Sequence, residues 1–436
     1  PGGADDPDRY WRLLQRGFDA VGEVPADRWD VDAHFDPDPA VPGVSYVRAG
    51  AFVDDVSGFE PLLFGIAPSE ATWLDPQQRL LLEVSWEALE DAGHASPRLE
   101  GSRTGVFVGA MTNDFQLLLA GSPDSINTHA ASGAFLSSAA GRVSHTLGLR
   151  GPCMAVDTAC SSSLVAAHLA CLSLADGGCE MAIVGGVNLM LAPETFVIES
   201  KAQMLARDGR CKAFDAAADG MGRGEGCGVV ILRRLSEARA AGDNILAVIH
   251  GSAVGQDGRG ASFVAPNRLA QEQTVRDAIA RAGVDPGAIA FVETHGTGTA
   301  LGDPVEVEGL AEVFGPAHGG DRRLAIASVK TNVAHLEAAA GMASLVKLVL
   351  ALRHEELPPH VHLRQLNPLL PLDALPVAIP GRRTPWPGGE ERRAGLSSFG
   401  LSGTLTHVVL GPAPPPAERP PSVDRSHHLL CLSART

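Results

Sequence analysis

One local arrangement recurs along this chain of 436 residues. An apolar stretch of strand character runs into a small or polar turn, and a stretch of helical character follows. It occurs around residues 154–174 and again around residues 324–352. Predicted helices and strands alternate elsewhere too, which is typical of an α/β fold rather than of an all-α or all-β one.

The predicted elements follow from apolar spacing and from turn residues. Residues 77–92 give the clearest amphipathic helix, and residues 338–352 are predicted to form a buried helix despite Lys347. The other predicted helices are residues 10–17, 164–174 and 269–282. The predicted strands are residues 104–110, 154–156, 181–191, 228–232, 245–254, 288–292, 324–329, 377–380 and 407–410.

Charge and cysteine content exclude several classes of protein. The net charge of −16, without a basic tract, argues against nucleic acid as a partner and is explained by solubility alone. The seven cysteines form no C-x-x-C pair and no metal-ligand spacing, so we expect reduced thiols, no metal and a cytoplasmic location. No apolar run reaches 18 residues, so no membrane span is predicted.

The most informative string surrounds Cys160, in residues 156–164. A cysteine between a strand end and a helix start gains from the positive end of the helix dipole, which favours the thiolate. The serines at 161–163 are expected to supply capping hydroxyls. The alternative is a buried structural cysteine, which is the commoner role of a free cysteine.

Two histidines lie in comparable places. His295 stands in a loop of His, Gly and Thr after an apolar segment, and His335 stands in a polar turn between a strand and a small-residue helix. Either one alone suits a core histidine or a metal ligand equally well. Together with Cys160 they indicate nucleophilic catalysis with charge stabilisation.

From residue 5 to about 410, the chain resembles the β-ketoacyl synthase domains of multidomain polyketide synthases. Seven strings besides the cysteine string carry it, in the family's order. They are DPQQRL (75–80), WEALEDAG (86–93), GRVS (141–144), GRCKAFD (209–215), VETHGTGT (292–299), SVKTNVAHLE (328–337) and SSFG (397–400).

The resemblance implies a thiolase-like fold, a five-layered αβαβα sandwich with two similar halves. We expect residues 1–250 to form the half with the nucleophile and residues 251–411 the half with the two histidines. The family's first strand and Gly-rich turn do not precede residue 1, which suggests a fragment of a longer chain. Residues 412–436 resemble a Pro-rich linker and the start of a subdomain leading to an acyltransferase; a disordered tail is the alternative.

The resemblance also implies roles for individual residues. Cys160 matches the acyl-accepting nucleophile, and the backbone N–H groups of Cys160 and Leu401 match the oxyanion hole. His295 and His335 match the histidines that bind the malonyl thioester oxygen. The remaining matches are Lys330 as an electrostatic organiser, Thr297 and Thr299 as pantetheine-binding residues, and Glu337 and Phe399 as supporting residues, Glu337 being equally explained as a helix N-terminal charge.

The implied activity is acyl transfer to the cysteine, followed by decarboxylative condensation with a malonyl-type extender. The phosphopantetheine arrives on an acyl carrier protein, no cofactor is held, and a homodimer paired near residues 181–187 is expected. One alternative is a degradative thiolase, which needs a second catalytic cysteine. Another is a non-elongating, acyl-binding domain or chain-length partner, which usually lacks the Cys or a His.

The chain departs from the family's pattern at four places. Leu405 and Gly255 each replace a frequent Asn, Ala334 replaces a usual Gly, and residues 401–403 form an atypical loop after Phe399. The change at Leu405 is expected to alter the loop that carries the Leu401 amide. None of the departures touches the cysteine or the two histidines.

Overall fold

The computed structural model describes residues 1–415 apart from 95–97, 123, 125, 261, 320–322, 373–375 and 388–391. The α-helices are α1 (Pro7–Gln15), α2 (Pro68–Ala71), α3 (Pro76–Asp91), α4 (Asp114–Ala120), α5 (Ala130–Ala134), α6 (Ser137–Thr146), α7 (Ser162–Ala175), α8 (Glu194–Lys201), α9 (Leu235–Ala241), α10 (Arg268–Ala282), α11 (Gly302–Phe314), α12 (Lys330–Val333) and α13 (Ala340–His354). The strands are β1 (Gly22–Glu23), β2 (Ala49–Gly50), β3 (Thr104–Gly109), β4 (Cys153–Val156), β5 (Met181–Asn188), β6 (Gly226–Arg233), β7 (Ala247–Gln256), β8 (Ile289–Glu293), β9 (Leu324–Ala327), β10 (Glu356–Leu357), β11 (Val377–Ala378), β12 (Thr384–Pro385), β13 (Arg393–Phe399) and β14 (Thr404–Pro412).

Two larger sheets organise these elements. The first has the strand order β4-β3-β5-β6, and the second has the order β11-β9-β8-β13-β14-β7. Two short antiparallel pairs, β1 with β2 and β10 with β12, lie outside them. The predicted α/β class is therefore confirmed.

Helices cover both sheets and fill the space between them. Helices α3 and α6 pack on the outer face of the first sheet, α7 and α13 lie between the sheets, and α10 and α11 pack on the outer face of the second. Three large apolar clusters occupy the resulting interfaces. The layers run α, β, α, β, α, which confirms the predicted five-layered sandwich. A central helix layer buried by two sheets has no polar face, which explains the near-continuous apolar character of α7.

The two sheets share one topology. Strand β3 is parallel to β4 and β5, and β5 is antiparallel to β6. Strand β8 is likewise parallel to β9 and β13, and β13 is antiparallel to β14. The central helices α7 and α13 follow the corresponding strands β4 and β9. The turns after β4 and β9 are therefore equivalent positions in the two halves.

Most predicted elements agree with the structure to within two or three residues, and the buried helix around Lys347 is present as α13. Residue 250, where we expect the boundary between the halves, lies within β7, so that division stays a prediction. The predicted linker falls largely outside the described residues, since only 412–415 of it are described. Among the described residues, no helix is long and apolar enough to cross a membrane.

Candidate active site

A tight turn after β4 presents Cys160. Ala159 adopts a left-handed backbone conformation with φ of 55°, so the chain reverses sharply just before the cysteine. Asp157 stabilises this turn, because its Oδ1 accepts the Ala159 N–H at 2.9 Å. Helix α7 begins at Ser162, two residues after the cysteine and two residues earlier than the predicted start at residue 164.

The serines after the cysteine do not cap α7 as expected. Ser161 Oγ donates to the carbonyl of Thr158 at 2.9 Å, and Ser162 Oγ donates to that of Ala159. Ser163 Oγ accepts the Met342 N–H at 3.0 Å, which ties α7 to α13. These hydroxyls fasten the turn because its carbonyls lie nearer to them than the free N–H groups of the helix.

The first turn of α7 leaves no space behind the nucleophile. A Cβ on Gly109, at the end of β3, would lie 2.4 Å from the Ser163 nitrogen, and one on Gly186 would lie 2.7 Å from Ser163 Cβ. Only glycine allows the sheet and the helix to approach this closely. The position of the cysteine is therefore fixed from behind by backbone packing.

The thiol of Cys160 is not the ready thiolate that the helix position alone predicts. Loss of hydration, together with the nearby carboxylates of Glu337 and Glu199, raises the pKa of Cys160 to about 12. Lys330 and the backbone N–H of Leu401 act in the opposite direction and lower it. Burial therefore outweighs the helix dipole and favours the neutral thiol.

His295 lies in the loop after β8 and is held from both ends. Its N–H donates to Glu306 Oε1 at 2.7 Å, and its ring Nδ1 accepts the Phe399 N–H at 3.3 Å. The ring also lies 5.4 Å from that of Phe399. Because Nδ1 accepts a hydrogen bond, the proton of the neutral ring belongs on Nε2.

His335 follows the same pattern in the turn after β9. Its Nδ1 accepts the N–H of Glu337 at 3.0 Å, which again leaves the proton on Nε2. That Nε2 is buried and has no hydrogen-bond partner among the described residues. A buried donor without a partner is costly, and a substrate oxygen would satisfy it.

The two imidazoles are close neighbours. Their ring centroids are 5.6 Å apart and the rings are nearly perpendicular. Burial, the positive charge of Lys330 and further nearby positive charge lower the pKa of each ring well below its ordinary value. Both rings are therefore neutral N–H donors, as binding to a thioester oxygen requires.

Lys330 connects the two histidine segments. It lies at the start of α12, five residues before His335, and its Nζ donates to the carbonyl of His295 at 2.6 Å. Burial lowers its pKa, while nearby Glu293 and Glu306 oppose that shift. The buried amino group of Lys330 thus lies close to both histidines, consistent with the electrostatic role that the resemblance implies.

The loop between β13 and β14 closes the other side of the sulfur. Ser398 Oγ donates to the carbonyl of Cys160 at 2.9 Å. A Cβ on Gly400 would lie 2.2 Å from the Thr158 carbonyl oxygen, so the loop crosses directly over the nucleophile turn. Leu401 directs its N–H at the Cys160 sulfur, and its side chain is 43% exposed at the rim.

Thr297 and Thr299 lie in the loop beyond His295, with their hydroxyl oxygens 3.5 Å apart. Thr297 is buried and Thr299 half-buried. Thr299 Oγ1 also accepts the Gly302 N–H at 3.2 Å, which fastens the start of α11. Their binding of a pantetheine arm stays a prediction.

Sequence reasoning missed three residues that hold the site. Glu306 accepts the N–H of His295 and that of Gly296, and burial raises its pKa to about 7. Arg223 and Glu199 form a buried ion pair beside Glu337. The signal was present for one of them, because a charged Arg223 between two glycines, just before an apolar strand, is unusual for a loop.

A neutral two-histidine donor pair beside a cysteine, on a five-layered thiolase-like sandwich, defines a condensing enzyme. Family models agree. The β-ketoacyl synthase N-terminal domain matches residues 1–238, the β-ketoacyl synthase C-terminal domain matches 246–364, and the ketoacyl-synthetase C-terminal extension matches 367–436. The chain belongs to the β-ketoacyl synthase family, and it is a ketosynthase domain of the polyketide synthase type.

Individual relatives support the same placement. A phenolphthiocerol/phthiocerol polyketide synthase of Mycobacterium tuberculosis is 50% identical over 411 residues, which cover 94% of this chain and 26% of that protein. The type I polyketide synthase Pks15/1 of Mycobacterium bovis is 47% identical over 432 residues, which cover 98% of this chain and 20% of that protein. The chain therefore spans about a quarter of the length of these relatives.

Solved structures are similar over most of the chain. The oxazolomycin ketosynthase domain OzmH KS7 of Streptomyces albus superposes with a TM-score of 0.90 at 43% identity, covering 96% of this chain and 74% of that one. The ketosynthase from module 6 of the bacillaene synthase of Bacillus subtilis gives 0.87 at 38% identity, covering 95% and 70%.

Proposed function

We propose that this domain extends an acyl chain by two carbons, by acyl transfer to Cys160 and then decarboxylative condensation with a malonyl-type thioester. The observation that carries the proposal is the pair of neighbouring imidazoles, whose ring centroids are 5.6 Å apart and each of which accepts a backbone N–H at Nδ1 and so carries its proton on Nε2. Such donors suit the oxygen of an enolate, on which negative charge develops.

In the loading step, the sulfur of Cys160 attacks the carbonyl of an acyl thioester. The tetrahedral oxyanion accepts the N–H groups of Cys160 and Leu401, each such donor typically being worth about 3 kcal/mol. The pantetheine sulfur leaves and takes up the proton lost by the cysteine. The high pKa of the free thiol means that most of the help must come from these donors and from Lys330 during the reaction itself.

In the condensation step, a malonyl-type thioester loses CO2, and the electron pair forms an enolate. The N–H donors of His295 and His335 hold its oxygen. The enolate carbon then attacks the acyl carbon, and the Cys160 thiolate leaves and is reprotonated. Neutral imidazoles suit this work because they stabilise the developing charge without first giving up a proton.

The partners follow from this chemistry. We propose that an acyl carrier protein delivers both thioesters on a phosphopantetheine arm, which passes Thr297 and Thr299. The domain holds no cofactor of its own in this scheme, and it works in the cytoplasm as a homodimer, joined covalently to an acyltransferase region downstream. The names of the relatives, which are polyketide synthases, support this setting.

Mass spectrometry of the intact protein tests the two half-reactions separately. After incubation with an acyl thioester carried on pantetheine, the wild-type chain should gain one acyl group, whereas Cys160→Ala should gain none. Replacing either His295 or His335 by Ala should leave acyl loading largely intact and lower ketide formation by about 100-fold or more.

Variants of other cysteines serve as the control. Cys171→Ala removes a thiol from helix α7. This variant should accept the acyl group normally, because Cys171 lies further along the helix, beyond its first turns. Acyl label on Cys160→Ala at the wild-type level would show that another residue is the nucleophile. Normal ketide formation by either His variant would remove that histidine from the mechanism.

A further inference from the structure

A single short segment of the chain holds His335 by its backbone. The N–H of His335 donates to the Gly222 carbonyl at 2.8 Å, and its carbonyl accepts the Gly224 N–H at 2.8 Å. The residue between these two glycines is Arg223, and its own carbonyl accepts the Ala51 N–H at 2.9 Å. The segment is therefore anchored on one side and holds the histidine on the other.

The side chain of Arg223 also reaches a neighbour of His335. Its Nε donates to Glu337 Oε1 at 2.7 Å and lies 3.0 Å from Glu199 Oε2. The guanidinium stacks over Phe196, with its carbon 4.6 Å from the ring centroid. Arg223 is 1% exposed, so this is a fully buried ion pair.

Glu337 holds the imidazole through its main chain. Its N–H is the group that donates to His335 Nδ1 and so keeps the ring proton on Nε2. That N–H points at the ring because Glu337 has a left-handed backbone with φ of 48°. On the other side of the histidine, Ala334 has φ of 60°. Residues other than glycine persist in such conformations only when their surroundings hold them there.

The charges explain why an arginine is needed. The carboxylates of Glu337, Glu199 and Asp114 all act on Arg223. A guanidinium holds its donors in one rigid plane, whereas an ammonium is a point charge whose donors rotate freely, so an arginine fixes the directions of its two carboxylate partners more firmly. Buried ion pairs contribute little net stability, because desolvation offsets most of the attraction. The cluster is thus better explained by what it holds in place than by the stability of the fold.

We propose that Arg223 is a positioning residue for the condensation step. Its ion pair with Glu337 fixes the main-chain N–H that orients the His335 ring and keeps the proton on Nε2. The inference rests on the role proposed above for His335, and it assigns no direct contact between Arg223 and a substrate.

Variants of Glu337 test this with the least damage to the fold. Glu337→Ala removes the ion pair, and Glu337→Gln keeps the length and one acceptor oxygen. The readouts are acyl loading of Cys160, and kcat and KM for decarboxylation of a malonyl thioester. We expect Glu337→Ala to lower kcat for decarboxylation by about 10- to 100-fold, with KM and loading changed by less than about twofold. Glu337→Gln should recover part of the loss.

A double variant separates positioning from general structure. If Arg223 and Glu337 act through His335, then adding Glu337→Ala to a His335→Ala variant should not lower kcat for decarboxylation any further. The pair Arg223→Met with Glu337→Gln, which leaves fewer unpaired buried charges, should behave like Glu337→Ala. Arg28→Met is the matched control, since it breaks another buried pair, with Glu225, and should leave the ratio of the two half-reactions unchanged.

The inference fails if Glu337→Ala lowers loading and decarboxylation equally, or if its loss is undiminished when His335 is already Ala. It fails equally if decarboxylation by Glu337→Ala is normal. A normal His335→Ala variant would instead overturn the proposed function itself. Should the Arg223 double variant not fold, the Glu337 variants decide the question alone.

Discussion

Leu405 and Gly255 face each other across the antiparallel pair of β14 and β7. Each stands where the family frequently has Asn, so two of the departures in this chain are neighbours in space. Leu405 is fully buried, and a Cβ on Gly255 would lie 2.2 Å from Thr274 Oγ1. A large apolar residue on one strand thus faces the smallest residue on the other, and the space beside that glycine is occupied by Thr274.

The change at Leu405 is expected to alter the loop before it, which carries the Leu401 amide. The loop closes normally, with the Gly400 N–H donating to the Thr404 carbonyl at 2.8 Å and the Gly403 N–H donating to that of Gly400 at 2.8 Å. Leu405 itself pairs with Phe399 across β13 and β14. The backbone hydrogen bonds of the loop are therefore in place, and an effect of Leu405 on activity stays a prediction.

The pH dependence of alkylation should report the state of Cys160. With a thiol pKa of about 12, the rate of reaction with iodoacetamide should rise about tenfold for each pH unit and show no plateau below about pH 10. Peptide mapping gives the rate at this site, with Cys160→Ala as the background. A plateau near about pH 8 would mean that the helix dipole and Lys330 outweigh burial after all.

Ala334→Gly should stabilise the protein. Ala334 has φ of 60° and ψ of −170°, a region open almost only to glycine, which costs an alanine about 1–3 kcal/mol. Glycine adds about 0.4–1 kcal/mol of unfolded-state entropy, so the net gain should be about 1 kcal/mol in urea unfolding.

Ala343→Gly, within α13, is the matched control and should destabilise by about 1 kcal/mol. Equal losses for the two variants would show that Ala334 carries no strain.

Glu199→Gln should become more stabilising as the pH rises. Burial raises the pKa of Glu199 from 4.5 to about 8, against the opposing charge of Arg223, so folding favours its protonated form and the ion pair with Arg223 forms fully only as the pH rises through that value. The stability that this protonation contributes is fully present below the pKa that Glu199 has in the unfolded chain. It is lost as the pH rises through the pKa that Glu199 has in the folded protein. The difference in unfolding free energy between Gln and wild type should therefore grow by about 1.4 kcal/mol per pH unit between about pH 4.5 and 8.

Glu194→Gln, which changes an exposed residue on the same helix, is the matched control. A difference for Glu199→Gln that stayed constant across this range would mean that the carboxyl is ionised throughout.

Leu401→Phe should narrow the acyl entrance. The Leu401 side chain is at the rim while its N–H faces the sulfur, so Phe adds bulk and keeps the donor. Loading of long or branched acyl groups should slow relative to acetyl by about 1–3 kcal/mol in relative specificity. Competition between acetyl and longer acyl thioesters measures this, with Ser402→Ala as the control in the same loop. Equal slowing of all acyl groups would mean that the side chain of Leu401 does not select among them. The loop would then act only through the Leu401 backbone N–H.

The domain should sediment as a homodimer, since closed two-fold pairs are the commonest oligomers. The contact that we expected near residues 181–187 is wrong, however. Strand β5 pairs with β3 on one edge and β6 on the other, so it has no free edge for a second copy. Within the described part of the chain, β4 and β6 are the edge strands of this sheet. Analytical ultracentrifugation over a range of concentrations decides the state, and a monomer at every concentration would contradict it.

The sequence predicted the parts of this site that are local in the chain. The turn at Cys160, the loop at His295 and the buried helix after His335 each show in a few neighbouring letters. It could not show that Arg223 approaches His335, because that contact joins residues more than a hundred positions apart. Nor could it show the thiol pKa, since hydration of Cys160 depends on packing around it rather than on the helix that follows it.

The closeness of Gly109 and Gly186 to the start of α7 has a consequence for how this domain can change. Two strands lie against the first turn of α7, just after the nucleophile, so a side chain added at Gly109 or Gly186 would displace Ser163 and with it the start of the helix. The loop that carries Leu401, in contrast, reaches the surface. New acyl preferences can therefore arise by substitution in the Leu401 loop, while the glycines behind the nucleophile stay the same. The two sides of the cysteine differ in how freely they can evolve.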